Sequence, residues 1–384
     1  GTGGAAPCQD VLQSMRICKK ISGAAEEFQI EFALWKREAA MIRYLDNQEK
    51  GRTKDLWREA FPEGSEDFLD YYDQEKMSIN QVLVREENGV IQSMLHRNPY
   101  RLQVRDTFWD ADYIVAVATR TDMRHRGYMR SLLIRMMTDM RERQMPFCFL
   151  MPAAEAIYRP YDFVSAGWCD KFVIEAEEVE EVEEAAPSLP QARWNAIVPE
   201  LGQAGSIQNV GNHTLQICPF DRWTAGQTKQ LESFVAELPM DMHAAWTAAY
   251  FAETDQQMKC YDGELVAVWD QEKPIAIAAY LCEEDQSEAE ITHVLATKQY
   301  QKLVSRQLAE YVRKRLNKQD IRLVCDLPAY SFDAERMHCT TMIRPLQEEW
   351  FAKRISPADG DCMNIQNLVK LWLQGVMVYT PELV

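Results

Sequence analysis

The chain has 384 residues and a formal net charge of −17, with 47% hydrophobic and 26% charged residues. This length allows two or three domains with well-filled cores, and the composition is ordinary for a soluble globular protein. A strongly acidic chain repels a phosphate backbone, so the charge argues against a nucleic-acid partner.

The ten cysteines are widely spaced, with no Cys-x-x-Cys pair and no Cys/His cluster at metal-ligand spacing. This pattern indicates reduced, mostly buried thiols and predicts neither a disulfide framework nor a metal site. No apolar run reaches membrane-spanning length, and the N-terminus lacks the order of a signal peptide. We therefore expect a cytoplasmic protein with no membrane partner.

Residues 1–40 have no strong periodicity, whereas Met41 opens a well-patterned segment. The five residues before Met41 can be encoded by purine-rich codons that resemble a ribosome-binding site. We interpret Met41 as the natural start and residues 1–40 as an N-terminal extension or translated leader. A genuine N-terminal helix is the alternative.

Residues 41–184 have the pattern of one α/β domain. Pro62 separates a charged amphipathic helix from a second helix that begins at Ser65. The pair Asn88-Gly89 predicts a hairpin turn between two short strands. The predicted helices are 46–60 and 65–76, and the predicted strands are 82–84, 90–95, 102–104, 110–119, 147–151 and 171–176.

The most informative stretch follows residues 113–119, a continuous apolar run that predicts a strand buried on both faces. A basic turn containing Gly127 comes next, and an apolar stripe from Tyr128 to Met140 predicts an amphipathic helix. Residues 120–143 hold seven Arg and three acidic residues. A strand, a basic turn and a helix N-terminus together bind phosphate, so we interpret residues 120–129, the cradle, as a pyrophosphate site. An ordinary helix N-terminus is the alternative.

Seven Glu fall between residues 175 and 184, and Pro187 and Pro190 follow. This composition predicts a solvated linker over residues 185–191. The second half, residues 192–345, is predicted to contain helices at 221–238, 242–254 and 298–317 and strands at 264–269, 275–282, 288–295 and 321–326. The element order repeats that of the first half without the cradle. Residues 346–384 are predicted to form a helix at 365–374 and a tail.

The layout and the segment Arg124-His125-Arg126-Gly127-Tyr128-Met129 resemble the GCN5-related N-acetyltransferases (GNATs), whose signature is Gln/Arg-x-x-Gly-x-Gly/Ala. Met129 replaces the last small residue. Residues 156–163 also resemble the Ile-Tyr-x-x-Phe-Gly-Phe/Tyr block of the Eis-like branch, with Tyr161 and Asp162 where that block has Phe and Gly. The resemblance implies a mixed α/β fold of two tandem GNAT-like domains, the second degenerate.

The resemblance also implies acetyl-CoA as co-substrate and assigns roles to residues. Tyr158 corresponds to the general acid and the terminal carboxylate of Val384 to the base. The Eis-like branch ends in a sterol-carrier-like domain, whereas only about forty residues follow Arg344 here, which leaves the reach of Val384 open. The cofactor-binding residues carried over are Val117, Ala118, Thr119, Arg124, His125, Arg126, Gly127, Tyr128, Met129 and Ala153.

The expected activity is transfer of an acetyl group from acetyl-CoA to a primary amine by direct attack in a ternary complex. The sequence shows no constellation of residues around a nucleophilic Cys or Ser, which argues against a covalent acetyl-enzyme. The acceptor is expected to be a small amine-rich molecule or a lysine side chain, and a homo-oligomer is left open. The alternatives are a catalytically silent CoA-binding regulatory protein and a structural protein of this fold.

Several polar residues near the cradle have ordinary interpretations. Tyr158 could be a packed aromatic beside Phe163. His96 ends a strand near where an acceptor would lie, but a buried or surface histidine is commoner than a catalytic one, so we leave it out of the site. Asp112 and Glu155 could attract a cationic amine, although an isolated acid is more often solvated or paired.

Overall fold

The computed structural model describes residues 41–104, 107–174, 206–210, 213–238, 240, 242–283, 286–325, 338–347 and 378–379. The N-terminal extension, the linker, the predicted helix at 365–374 and the terminal residue Val384 lie outside these residues. The predicted domain boundaries therefore stay predictions.

The first half of the chain contains four helices and six strands among its described residues. Its helices are α1 (Lys54–Ala60), α2 (Glu66–Tyr71), α3 (Tyr128–Glu142) and α4 (Glu155–Tyr158). Its strands are β1 (Ile42–Tyr44), β2 (Gln81–Glu87), β3 (Val90–Val104), β4 (Thr107–Thr119), β5 (Phe147–Leu150) and β6 (Val164–Ile174).

Local signals set several of these boundaries. The Ser65 hydroxyl accepts a hydrogen bond from the Phe68 backbone N–H at 3.0 Å and so caps α2, as its position before two acidic residues predicts. Asn88 and Gly89 have φ of 53° and 79°, which is the left-handed turn that joins β2 to β3. The predicted strands 90–95 and 102–104 are parts of one long strand, β3.

The second half contains three helices and nine strands in the described part of the chain. The helices are α5 (Ala225–Ala236), α6 (Ala248–Lys259) and α7 (Gln301–Leu316). The strands are β7 (Ser206–Val210), β8 (His213–Pro219), β9 (Met242–Ala244), β10 (Glu264–Asp270), β11 (Lys273–Leu281), β12 (Ala289–Ala296), β13 (Ile321–Cys325), β14 (His338–Pro345) and β15 (Val378–Tyr379). The order β10-β11-β12-α7-β13 repeats β2-β3-β4-α3-β5, which confirms the predicted repeat.

One predicted helix is wrong at its start. Residues 242–254 were expected to be helical, but β9 occupies Met242–Ala244 and α6 begins at Ala248. β9 pairs with the end of β3, from Leu102 to Val104, and that long-range pairing decides the conformation of three residues whose local pattern fits a helix.

The strands form one continuous path in the order β1-β2-β3-β4-β5-β14-β6-β13-β12-β11-β10-β8-β7. β4 and β5 are parallel, as are β12 and β13, and the other pairs on this path are antiparallel. β14 comes from the C-terminal half, yet it pairs with β5 on one side and β6 on the other. The sheet of the first half therefore includes a strand from residues 338–345.

Helices cover both faces of the first sheet. Trp57 of α1 and Phe68 of α2 pack with Met94 on one face, and α3 packs against Leu83 and Leu95 on the other. The stripe on α3 is buried as predicted, and each such side chain stabilises the fold by ~1.5–3 kcal/mol relative to exposure. Its buried members are Tyr128, Leu132, Leu133, Met136, Met137 and Met140.

Within the described residues, no helix is both long and apolar enough to cross a membrane.

Candidate cofactor cleft

β4 separates from β5 partway along its length. The two strands pair only at Asp112 with Cys148 and at Tyr113 with Phe149. Three residues later Ala116 has φ of 50°, and the register of β4 on β3 shifts between the pairs Val115–His96 and Ala118–Met94. This bulge bends β4, and among the described residues β4 has no pairing with β5 beyond Tyr113, so a ligand can approach its edge there.

The cradle has two residues in the left-handed region. His125 has φ of 63° and Gly127 has φ of 79°. A Cβ at Gly127 would meet no atom within 4 Å, so the backbone conformation and not a close neighbour favours glycine there. No side chain caps the start of α3, and the first N–H groups of a helix have no partner within it. These N–H groups and the helix dipole make the cradle suitable for an anion.

The arginines of the cradle differ in what they contact. Arg120 donates to a carboxylate oxygen of Glu59 at 2.8 Å. Arg124 and Arg126 donate to the backbone carbonyls of Thr119 and Asp122, at 3.4 and 3.2 Å, and Arg126 also interacts electrostatically with Glu87. The exposed guanidinium group of Arg124 is therefore available to bind the oxygens of a pyrophosphate.

β4, the cradle and α4 enclose a cleft of about 550 Å³. Eight predicted cofactor-binding residues line it, whereas Arg126 and Ala153 do not. Sequence reasoning missed the other six lining residues, Phe61 and Ile157 among them; Pro62, which follows Phe61 just after the end of α1, is the signal that could have indicated a chain turn there. The cleft is lined by Ala60, Phe61, Val117, Ala118, Thr119, Met123, Arg124, His125, Gly127, Tyr128, Met129, Arg130, Ile157 and Tyr161.

The predicted acid, Tyr158, ends α4. Its side chain is buried, and its ring packs edge-on against Phe163 with 5.7 Å between ring centroids. Burial raises the pKa of the Tyr158 hydroxyl to about 12, so the phenol is protonated at neutral pH. Tyr158 is not among the described residues that line the cleft, whereas Tyr161, one helical turn later, is.

The other polar residues near β4 are paired. The guanidinium of Arg97 lies 2.6 Å from Asp112, and that of Arg159 lies 2.7 Å from Glu155. His96 is fully buried, with Nδ1 3.2 Å from the Tyr72 hydroxyl, and burial lowers its pKa to about 3. These contacts agree with the ordinary interpretation of all three residues.

The predicted base, Val384, lies outside the described residues, and β15 is the last described segment before it. β15 pairs with β9, which pairs with β3. In the part of the chain that the structure describes, no group of three or more His, Cys, Asp or Glu could hold a metal ion.

Comparison with known proteins finds a family match over the part of the chain that contains the cleft. Residues 41–166 match the family model described as an acetyltransferase (GNAT) domain. A search of the curated proteins finds no match. Solved structures share the fold at low identity. A probable N-acyltransferase from Enterococcus faecalis is 14% identical, with a TM-score of 0.56 over 81% of this chain and 73% of that one.

Two further structures have a TM-score of 0.52 at 12% identity, each over 81% of this chain. One is a GCN5-related N-acetyltransferase from Kribbella flavida, of which 73% is covered. The other is Eis1 from Mycobacterium abscessus, of which 74% is covered. Over residues 41–166 the family model confirms the superfamily inferred from the Arg124–Met129 signature, and the Eis-like branch is represented among the structures that share the fold.

Proposed function

We propose that the protein transfers an acetyl group from acetyl-CoA to a primary amine, because residues 41–166 match the model of a GNAT acetyltransferase domain. The observation that carries the proposal is the cleft, because the free edge of β4 and the uncapped start of α3 open into the same cavity. The edge of β4 is suited to bind the amides of the pantetheine arm, and the start of α3 is suited to bind a pyrophosphate.

The residues of the cleft fit acetyl-CoA, which supplies the activated thioester. The N–H groups at the start of α3, with Arg124 and His125, would bind the pyrophosphate oxygens. Backbone groups of Val117 and Thr119 would bind the amides of the pantetheine arm. A backbone N–H in the bulged part of β4 would stabilise negative charge that develops on the thioester oxygen.

Tyr158 is the candidate general acid by resemblance. Its phenol is protonated at neutral pH, as a group that returns a proton to the departing sulfur must be. Tyr161 is a second candidate because its side chain lines the cleft. No Cys or Ser is among the described residues that line the cleft, which supports direct attack by the amine over an acetyl-enzyme.

The acceptor in this proposal is a cationic amine, either a small amine-rich molecule or a lysine side chain. The net charge of −17 supports this choice, because an acidic protein attracts cations. A protein that binds CoA without turnover is the second candidate. This second candidate is favoured by the position of Tyr158, which is buried and does not line the cleft.

Thermal unfolding with acetyl-CoA tests the proposal. A ligand at a hundredfold excess over its Kd stabilises the native state by about 2.7 kcal/mol and raises the Tm. Gly127→Glu should abolish the rise. Gly89→Glu is a matched control, because Gly89 has the same φ of 79° and equally open surroundings but lies in the β2–β3 turn.

Release of CoA thiol with a panel of amines follows in the same samples. Turnover with at least one amine supports the acetyltransferase. A Tm rise without thiol release for any amine supports the silent CoA-binding protein. Equal Tm rises for the two glycine variants would contradict binding at the cradle.

A further inference from the structure

Arg344 of β14 reaches the segment that carries both tyrosines of the site. Its Nε donates to the carbonyl oxygen of Tyr161 at 2.9 Å, and its Nη2 lies 3.3 Å from a carboxylate oxygen of Asp162. Nη1 donates to the carbonyl oxygen of Pro345. The Arg344 side chain is only 5% exposed, so the cation lies in a nearly closed environment of oxygens.

This contact joins residues that lie far apart in the sequence. β14 lies between β5 and β6, with Arg344 opposite Cys148 of β5. The segment that it holds runs from α4 through the 3-10 turn Arg159–Tyr161 to Asp162. A strand from the C-terminal half therefore fixes one wall of the cleft in the first half.

Asp162 has a backbone conformation that most side chains avoid. Its φ of 61° lies in the left-handed region, which glycine adopts freely and aspartate only at a conformational cost. The Eis-like block has glycine at this position. Asp162 loses that freedom, but its carboxylate forms an ion pair with Arg344.

We propose that Arg344 is a positioning residue for the tyrosines of the site, an inference that rests on the proposed acetyl transfer. The guanidinium holds the Tyr161 carbonyl and the Asp162 carboxylate in fixed directions. This orients the Tyr161 ring at the cleft and keeps α4, with Tyr158, in register with it. A lysine has no planar fork and cannot bind both oxygens in the same geometry.

Four variants test this role by their kcat and by their KM for acetyl-CoA. Arg344→Lys keeps the charge and removes the fork. Asp162→Asn removes the ion pair at a side chain that is 57% exposed, so it preserves folding. Asp162→Gly restores the residue of the Eis-like block. Arg322→Gln is the control, because Arg322 also forms ion pairs in the second half, with Glu288 and with Glu290 at 2.9 Å, but lies away from the cleft lining.

The expected result is a loss of kcat of about tenfold for Arg344→Lys and about threefold for Asp162→Asn, with KM for acetyl-CoA within twofold of the wild type. Asp162→Gly should resemble Asp162→Asn, because it also lacks the ion pair. Amide hydrogen exchange over residues 159–163 should be faster in these three variants and unchanged in Arg322→Gln.

A loss of kcat in Arg344→Lys no larger than in Arg322→Gln would overturn the inference. An unchanged exchange rate over residues 159–163 would do the same. A wild type that turns over no amine would instead defeat the proposed function. Failure of the proposed function is seen in the wild type by itself, as a lack of turnover. Failure of the positioning role is seen only when the variants are compared with one another.

Discussion

The Oε1 atom of Glu59 lies 2.7 Å from the backbone nitrogen of Thr121, and this hydrogen bond joins the end of α1 to the cradle. The other carboxylate oxygen accepts from Arg120. The Thr121 N–H and Arg120 lower the pKa of Glu59, so the carboxylate is ionised at neutral pH. A negative charge thus lies beside a site proposed for a pyrophosphate, and its structural role must outweigh its repulsion of that ligand.

Two substitutions of Glu59 separate these effects. Glu59→Gln removes the charge and keeps an acceptor for the Thr121 N–H, so the Kd for acetyl-CoA should stay within about threefold of the wild type. Glu59→Ala removes the acceptor as well and should weaken binding about tenfold, since hydrogen bonds to charged groups contribute about 1.5–3 kcal/mol. Calorimetric titration measures both. Equal affinities of the two variants would show that the cradle does not depend on this contact.

The hydroxyl groups of Tyr158 and Tyr161 are expected to contribute differently to catalysis. Tyr158→Phe should lower kcat about a hundredfold and leave the KM for acetyl-CoA nearly unchanged, because proton transfer by a positioned acid contributes about 10²–10⁴-fold. Tyr161→Phe is the matched variant in the same segment and should lower kcat less than threefold. Steady-state kinetics with one amine measures both. The reverse ranking would assign the acid to Tyr161.

The cradle arginines should make binding of acetyl-CoA depend on salt. Arg124→Gln should raise the Kd several-fold at low ionic strength and by less at 1 M salt, because screening weakens interactions of exposed charges. Arg135→Gln is the control: Arg135 pairs with Asp139 on the exposed side of α3, and its loss should leave the Kd unchanged. Titrations at two salt concentrations make the comparison. The same change in Kd for both variants would indicate a general effect of net charge.

His96 should make the protein less stable in mild acid. Burial, and to a smaller extent the Lys50 charge, lower its pKa from 6.5 to about 3, so between these values the unfolded state binds a proton that the native state does not. Stability is therefore lost as the pH falls below 6.5, by about 1.4 kcal/mol per pH unit for one such group. Urea unfolding of wild type and His96→Gln between pH 6.5 and 5 measures the difference in slope.

Tyr72→Phe is the control for His96. It removes the hydroxyl bonded to Nδ1 but keeps the histidine buried, and burial is the main cause of the lowered pKa. Its slope should stay close to that of the wild type. If His96→Gln shows the wild-type slope, His96 does not titrate in this range on unfolding.

The parts of the fold that depend on neighbouring residues could be predicted from the sequence. Ser65 as a helix cap and Asn88-Gly89 as a hairpin turn follow from local backbone preferences. The cradle was also predictable, because a buried strand, a glycine turn and an amphipathic stripe follow one another directly. Eight predicted cofactor-binding residues line one cleft for this reason.

The remaining features depend on contacts between distant residues. Nothing in residues 242–244 indicates that the end of β3 is their partner, so a helix was predicted where β9 forms. The contribution of Phe61 to the cleft depends on how α1 packs on the sheet. The contact between Arg344 and Asp162 spans most of the second half, and no local pattern encodes it.

The insertion of β14 between β5 and β6 also affects how the chain folds during synthesis. When β6 leaves the ribosome, the strand that will separate it from β5 has not yet been translated. Until residues 338–345 emerge, the nascent first half exposes strand edges, and unpaired edges favour aggregation and recruit chaperones. Completion of the first sheet must therefore wait until most of the chain has been synthesised.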